Sequence, residues 1–406
     1  MQPRIVITGL GMVTSIGTGC GAFWSSLLAG HSGIGPVESF DTSKYKVSRG
    51  AEVKTFRAED YVWHLDHAGM GRASQFAIAA ARLAIADAHL DVHALDPERI
   101  GVSMGTTSGE PKEVEYFNDR MVSAAQDQIR PAFISSYPCH VIPAHVASEL
   151  GFAGINMMIP TACAAGNYAI AHAFDTLRSD RADVMLAGGA DAFSRITYTG
   201  FAQLGAIAPD LCQPFDRNRK GMVPGEGAAV LVLEPLARAL ARGARIYAEV
   251  TGYGLSCDAH HITAAHPEGD GAVRAMEKAL KHSGMQPEAV SYISAHGTGT
   301  PTNDLRETIA VKRVFQDAAY RIPISSIKSM LGHTMGAASA IEAAACALAI
   351  RHDRIPPTMH LEEPDPECDL DYVPNAAREH KVMVAMNNAY AFGGNNSSLI
   401  LKKYEA

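Results

Sequence analysis

Short β-branched runs alternate with alanine-rich stretches along almost the whole chain, and this alternation limits the possible fold more than any other feature. The runs predict strands over residues 4–8, 100–104, 157–160, 183–187, 228–234, 246–254, 290–295 and 382–386. The stretches between them predict helices over 73–89, 164–178, 271–283, 304–315 and 335–352. The strands are close to continuously apolar, so helices must cover them on both faces. That makes an α/β protein.

A faint repeat divides the chain. Ile5-Val-Ile-Thr-Gly-Leu-Gly11 is echoed by Ala248-Glu-Val-Thr-Gly-Tyr-Gly254, each read as a strand running into a Gly-x-Gly turn near the start of one half. At ~100–200 residues per domain, 406 residues allow two halves, 1–250 and 251–406. No Pro/Ser-rich linker separates them, so they should pack as one body. Hydrophobic residues make up 47% and charged residues 19%, which excludes a disordered chain. A net charge of −8 argues against a general nucleic-acid binder.

The seven cysteines include no C-x-x-C pair, which fits neither a zinc site nor a disulfide framework and suits a reducing cytoplasm. The apolar start reads as a first strand rather than a targeting segment. The longest apolar stretch, 335–350, is too short to span a bilayer and carries Glu342, so a buried helix and no membrane contact are expected.

Two apparent motifs carry little. Gly9-Leu-Gly11 lacks the third glycine of a dinucleotide fingerprint. His260, His261 and His266 have no acidic or thiol partner at ligand spacing, so no metal is expected.

Cys163 is different. It stands in Pro160-Thr-Ala-Cys163-Ala-Ala-Gly166, between an apolar strand and an alanine-rich helix. A helix N-terminus favours thiolate, and the small neighbours leave room for a substrate. On this segment alone a nucleophile and a buried, inert cysteine are equally admissible.

Three further segments change the balance. His296 opens His296-Gly-Thr298-Gly-Thr300, whose glycines let backbone approach a ligand and whose threonines offer hydroxyls. Lys328 and His333, framed by glycines, precede the helix carrying Glu342, a buried acid for which Lys328 is an available partner. Near the C-terminus, Asn387-Asn-Ala-Tyr390-Ala-Phe392-Gly-Gly394 holds an aromatic in a glycine-flanked turn.

Thr-Ala-Cys163, His296-Gly-Thr-Gly-Thr300 and Lys328…Gly-His333, in this order, resemble the β-ketoacyl-[acyl-carrier-protein] synthases of the elongating, synthase II branch, over nearly the whole chain. The resemblance implies a thiolase-like five-layered α/β/α/β/α fold of two related halves. It implies a homodimer, or a heterodimer with a second synthase-like subunit, that works with an acyl carrier protein and needs no cofactor beyond the carrier's phosphopantetheine.

The implied reaction loads an acyl group on Cys163 and condenses it with a malonyl thioester, in fatty-acid or polyketide/polyene elongation. The same resemblance implies that His296 and His333 stabilise the enolate and that Lys328, paired with Glu342, tunes them. Thr298 and Thr300 would bind the phosphopantetheine arm. Phe392 would gate the site and, with the Cys163 N–H, form an oxyanion hole.

The sequence departs from the family at several points. The gate reads Ala391-Phe-Gly-Gly394 rather than Gly-Phe-Gly-Gly, an alanine expected to stiffen it, and Tyr390 stands where Phe is common. Thr106 or Thr107 lies near the expected pocket wall, which points toward a specialised polyketide or polyene substrate. Six expected carrier-docking positions are Leu65, Ala68, Gly69, Asp127, Gln128 and Gln213, none of them basic. Arg72, Arg130, Arg217, Arg219 and Lys220 could form a shifted patch.

Two rivals remain. A Cys–His hydrolase would not need His333, Lys328 and the gate. A chain-length-factor-like partner subunit of a type II polyketide synthase would have lost the cysteine.

Overall fold

The protein is described by a computed structural model covering residues 2–405. Ten strands form its core. The first half contributes β1 (Ile5–Thr14), β2 (Ile100–Gly105), β3 (Asn156–Ile159), β4 (Val184–Asp191) and β5 (Gly227–Pro235). The second contributes β6 (Ala248–Cys257), β7 (Tyr292–Ser294), β8 (Ile324–Ser325), β9 (Val384–Tyr390) and β10 (Asn395–Lys402).

Their order is β3-β2-β4-β5-β1 in one half and β8-β7-β9-β10-β6 in the other. The pairings also repeat: parallel from edge to third strand, then antiparallel to β1 or β6. The halves join where Ile5–Ile7 pairs antiparallel with 248–250, so the two five-stranded sets form a continuous sheet rather than separate ones.

Five helices place the layers: α1 (Arg72–Asp87), α2 (Ala165–Arg178), α3 (Asp270–Ser283), α4 (Pro301–Phe315) and α5 (Ala338–His352). The α1 helix covers the outer face of the first set of strands, and α3, backed by α4, covers the second. The α2 and α5 helices pack on each other between the two sets, which completes the five layers.

Strand alternation feeds this arrangement. Leu231 and Leu233 enter the central core, whereas Val230 and Val232 enter the core beneath α1. Both faces are dry, as near-continuous apolar runs require. Residues 338–350 of α5 are buried on every side, and among the described residues no helix is long and apolar enough to cross a membrane.

The Gly-x-Gly echo proves to be a packing device, and the turn reading is corrected. Both motifs lie inside strands, where glycine lets a helix approach the sheet. A Cβ on Gly9 would sit 2.2 Å from the Ala84 carbonyl oxygen, and one on Gly11 2.0 Å from that of Ala80. In the second half a Cβ on Gly254 would meet the Ala275 carbonyl at 1.9 Å. No phosphate-cradling turn exists at Gly9-Leu-Gly11. The last strand, β10, does not appear in the sequence reading, because its Asn-Asn-Ser-Ser start carries no apolar signal.

Candidate active site

The carboxyl ends of β2, β3, β4, β7 and β8 meet over the N-termini of α2 and α5. After β3 the chain turns at Ala162, in the left-handed region at φ 51°, and then presents Cys163 at the head of α2. That conformation costs a non-glycine residue about 1–2 kcal/mol. The equivalent turn after β8 repeats it at Met335, φ 55°, just before α5.

Cys163 is buried, and burial pushes its thiol up to about 12. Lys328 draws it down, while Asp191 and Glu342 push it further up. The expected helix dipole contributes only about 0.3–1 kcal/mol, against about 1.4 kcal/mol for each pH unit. Burial therefore outweighs the dipole and favours the thiol.

His296 follows β7 on a loop pinned from below. Glu307 of α4 accepts the His296 and Gly297 N–H groups, both at 2.8 Å. His333 is anchored through its backbone N–H to the Val223 carbonyl at 2.7 Å. Its Nδ1 accepts the Met335 N–H at 3.1 Å. A neutral imidazole whose Nδ1 accepts carries its hydrogen on Nε2. The two rings stand nearly perpendicular, 83° apart with centroids 5.4 Å apart. Burial, and then the charge of Lys328, hold both well below the ordinary histidine range.

Lys328 and Glu342 form a buried ion pair. Burial raises the Glu342 carboxyl to about 7 against the pull of Lys328. Cys163, His296, His333 and Glu342 all feel the Lys328 charge, which puts one cation at the electrostatic centre of the site.

The Thr298 and Thr300 hydroxyls lie 2.8 Å apart, and Thr300 also caps α4 by accepting the Asn303 N–H. Phe392 is 42% exposed at the rim, its ring 5.7 Å from that of Phe201. Ala391 is extended at φ −136°, so alanine costs nothing there in this conformation; the conformational freedom lies in Gly393 and Gly394, at φ 80° and 78°. Thr106 is fully buried and donates to Asp191 at 2.8 Å, which commits its hydroxyl to that carboxylate. The neighbouring Thr107 hydroxyl is buried with no hydrogen-bond partner among the described residues.

Two acids escaped the sequence reading. Asp191, at the end of β4, accepts from Thr106, from the Thr107 and Ser108 N–H groups and from the Gly336 N–H, tying the loop after β2 to the turn before α5. Glu307 holds the His296 loop. Each had a faint signal: a lone acid closing an apolar strand, and an acid three residues after Asp304 on the helix following the histidine.

The basic residues offered for a shifted patch are mostly committed elsewhere. Arg72 pairs with buried Glu226, Arg130 with Glu113 and Arg217 with Glu363. Arg219 is buried against Asp365, which leaves Lys220 as the exposed member with no ion pair among the described residues.

The chain matches the family described as beta-ketoacyl synthase, N-terminal domain, over residues 2–239 and its C-terminal domain over 247–362. It is 44% identical to a 3-oxoacyl-[acyl-carrier-protein] synthase 2 of Synechocystis, covering 100% of this chain and 99% of that one. A protein of the same name from Staphylococcus aureus is 41% identical, covering 99% of each chain. Among solved structures, the ishigamide ketosynthase/chain length factor superposes with a TM-score of 0.96 at 43% identity, covering both chains fully. A type II polyketide synthase ketosynthase in complex with its acyl-carrier protein superposes at 0.93 and 33% identity, again over both full chains.

Proposed function

The chain belongs to the β-ketoacyl synthase family, and from that premise we propose that this site joins an acyl group held on Cys163 to a malonyl thioester. The enzyme is an elongating acyltransferase that forms a 3-oxoacyl thioester on a carrier protein. The Cys163 sulfur attacks the incoming acyl thioester, loses its proton and releases the carrier thiol. The malonyl thioester then loses CO₂, and the electrons of the broken C–C bond pass to its carbonyl oxygen as an enolate. The enolate carbon attacks the Cys163 thioester, and the cysteine sulfur departs. In the division of labour that we propose, residues 1–250 carry the nucleophile and 251–406 the enolate-stabilising groups.

The observation that carries this reading is the state of His333. Its Nδ1 is occupied by a backbone N–H, so Nε2 carries a hydrogen, and burial keeps the ring neutral. It can donate to an enolate oxygen without delivering an acid to the carbanion. His296, perpendicular beside it, supplies the second donor. The Cys163 and Phe392 N–H groups serve the oxyanion of acyl transfer, and Thr298 and Thr300 hold the phosphopantetheine arm. Decarboxylation supplies the driving force, so no cofactor is needed beyond the carrier's own arm.

The partners are an acyl carrier protein and a second subunit, as homodimer or heterodimer, in the cytoplasm. The intact cysteine and histidine pair favour the catalytic reading over a chain-length-factor-like subunit. Acyl transfer to Cys163 and malonyl decarboxylation, assayed separately in His296→Ala and His333→Ala, test it: the histidine variants must lose the second step and keep the first.

A further inference from the structure

The two imidazoles are not equally held. His333 has its Nδ1 occupied by the Met335 N–H. The Nδ1 of His296 is buried and has no hydrogen-bond partner among the described residues. Left alone, a neutral imidazole can carry its proton on either nitrogen, and only the Nε2–H form would match its neighbour.

A second unsatisfied group lies against the same ring. Tyr390 closes β9, two residues before Phe392, and is 8% exposed. Its ring centroid is 5.7 Å from that of His296, at 65°. Its hydroxyl is buried and has no hydrogen-bond partner among the described residues. An unsatisfied buried hydroxyl costs about 1–3 kcal/mol, a cost that phenylalanine in the same space would avoid. Glu307, which grips the His296 N–H, also acts by its charge on the Tyr390 hydroxyl, after burial, so carboxylate, phenol and imidazole sit around one place.

We propose that Tyr390 is a positioning residue: its hydroxyl donates to His296 Nδ1, on closure of the site or across one water, and so fixes the hydrogen on Nε2. Either route leaves the same tautomer. The inference rests on the proposed role of His296, and it makes the phenol the side-chain counterpart of the Met335 N–H.

The test is a double-mutant cycle with a tautomer readout. Tyr390→Phe should lower malonyl decarboxylation about tenfold, the loss falling on kcat rather than KM, and should add nothing in a His296→Ala background. Nitrogen-15 NMR of histidine-labelled protein, with the His296 signals assigned by their loss in His296→Ala, should show His296 as Nε2–H in the parent and as a mixture in Tyr390→Phe. An unchanged tautomer in Tyr390→Phe, or an equal loss with and without His296, would overturn the proposal. Should His296→Ala itself leave decarboxylation intact, the catalytic reading of His296 fails instead, and the NMR comparison still decides the tautomer claim.

Discussion

Cys163 and Gly336 occupy equivalent places in the two halves. Each follows a left-handed residue, Ala162 at φ 51° or Met335 at φ 55°, inside the short turn that opens a buried helix. One half places Cys163 there, the nucleophile of the proposed reaction. The other uses the position for contact, because Gly336 lies against the backbone of Thr106 and donates to Asp191 at 2.7 Å. A Cβ on Gly336 would stand 2.4 Å from the Thr106 carbonyl carbon. Gly336→Ala should therefore cost about 1–3 kcal/mol of stability, read as a lower denaturant midpoint with unchanged slope. Stability equal to the parent would contradict the close packing.

The thiol itself gives a pH prediction. Burial places Cys163 at about 12, so its thiolate fraction should rise tenfold per pH unit across the working range. Alkylation of Cys163 by iodoacetamide, followed by peptide mass spectrometry, should climb from pH 6 to 9 without levelling. A plateau near pH 7 would mean that the thiolate is already formed. Lys328→Ala should slow the reaction at every pH, because it removes the cation that favours the anion.

The imidazoles should behave in the opposite way. Both are held well below the ordinary range, so both stay neutral as pH falls toward 6. Malonyl decarboxylation should then be flat from pH 6 to 8. An acid limb with a midpoint near 6.5 would show that at least one imidazole titrates like an exposed histidine.

Lys328 and Glu342 separate stability from chemistry. Removing one partner leaves a buried charge alone, which costs about 3–5 kcal/mol. Lys328→Met and Glu342→Leu should each be destabilised, and the double variant should recover most of the loss in thermal unfolding while remaining inactive in condensation. A double variant with normal condensation would leave the pair a purely structural role.

Much of this was legible in the sequence, for a physical reason. The strands that frame the site are buried on both faces, so their composition announces them, and four glycine-framed segments supply Cys163, His296, Lys328 with His333, and Phe392. The rest was hidden because it depends on which groups meet. Asp191 and Glu307 read as ordinary acids until β4 and α4 bring them under two loops. At Cys163 burial opposes the helix dipole, and nothing in the local sequence states how dry a site is. Arg219 looked like a surface cation and is buried against Asp365.

The carrier surface follows from those committed arginines. Charge-complementary docking of an acidic carrier weakens as salt rises. With Arg72, Arg130 and Arg219 paired to acids, a housekeeping fatty-acid carrier should show a low kcat/KM with a shallow salt slope, and a co-encoded carrier a higher one. Efficient, steeply salt-dependent turnover with the housekeeping carrier would contradict this.

The most direct measurement of the central claim follows the two half-reactions by intact mass. Parent enzyme, His296→Ala and His333→Ala are each given an acyl-carrier thioester and then malonyl-carrier, with the Cys163 peptide and the carrier product followed over time. All three should acylate Cys163, and only the parent should go on to form the 3-oxoacyl-carrier at an appreciable rate. A histidine variant that condenses at the parental rate, or an acyl label on another cysteine with Cys163 free, would contradict the account.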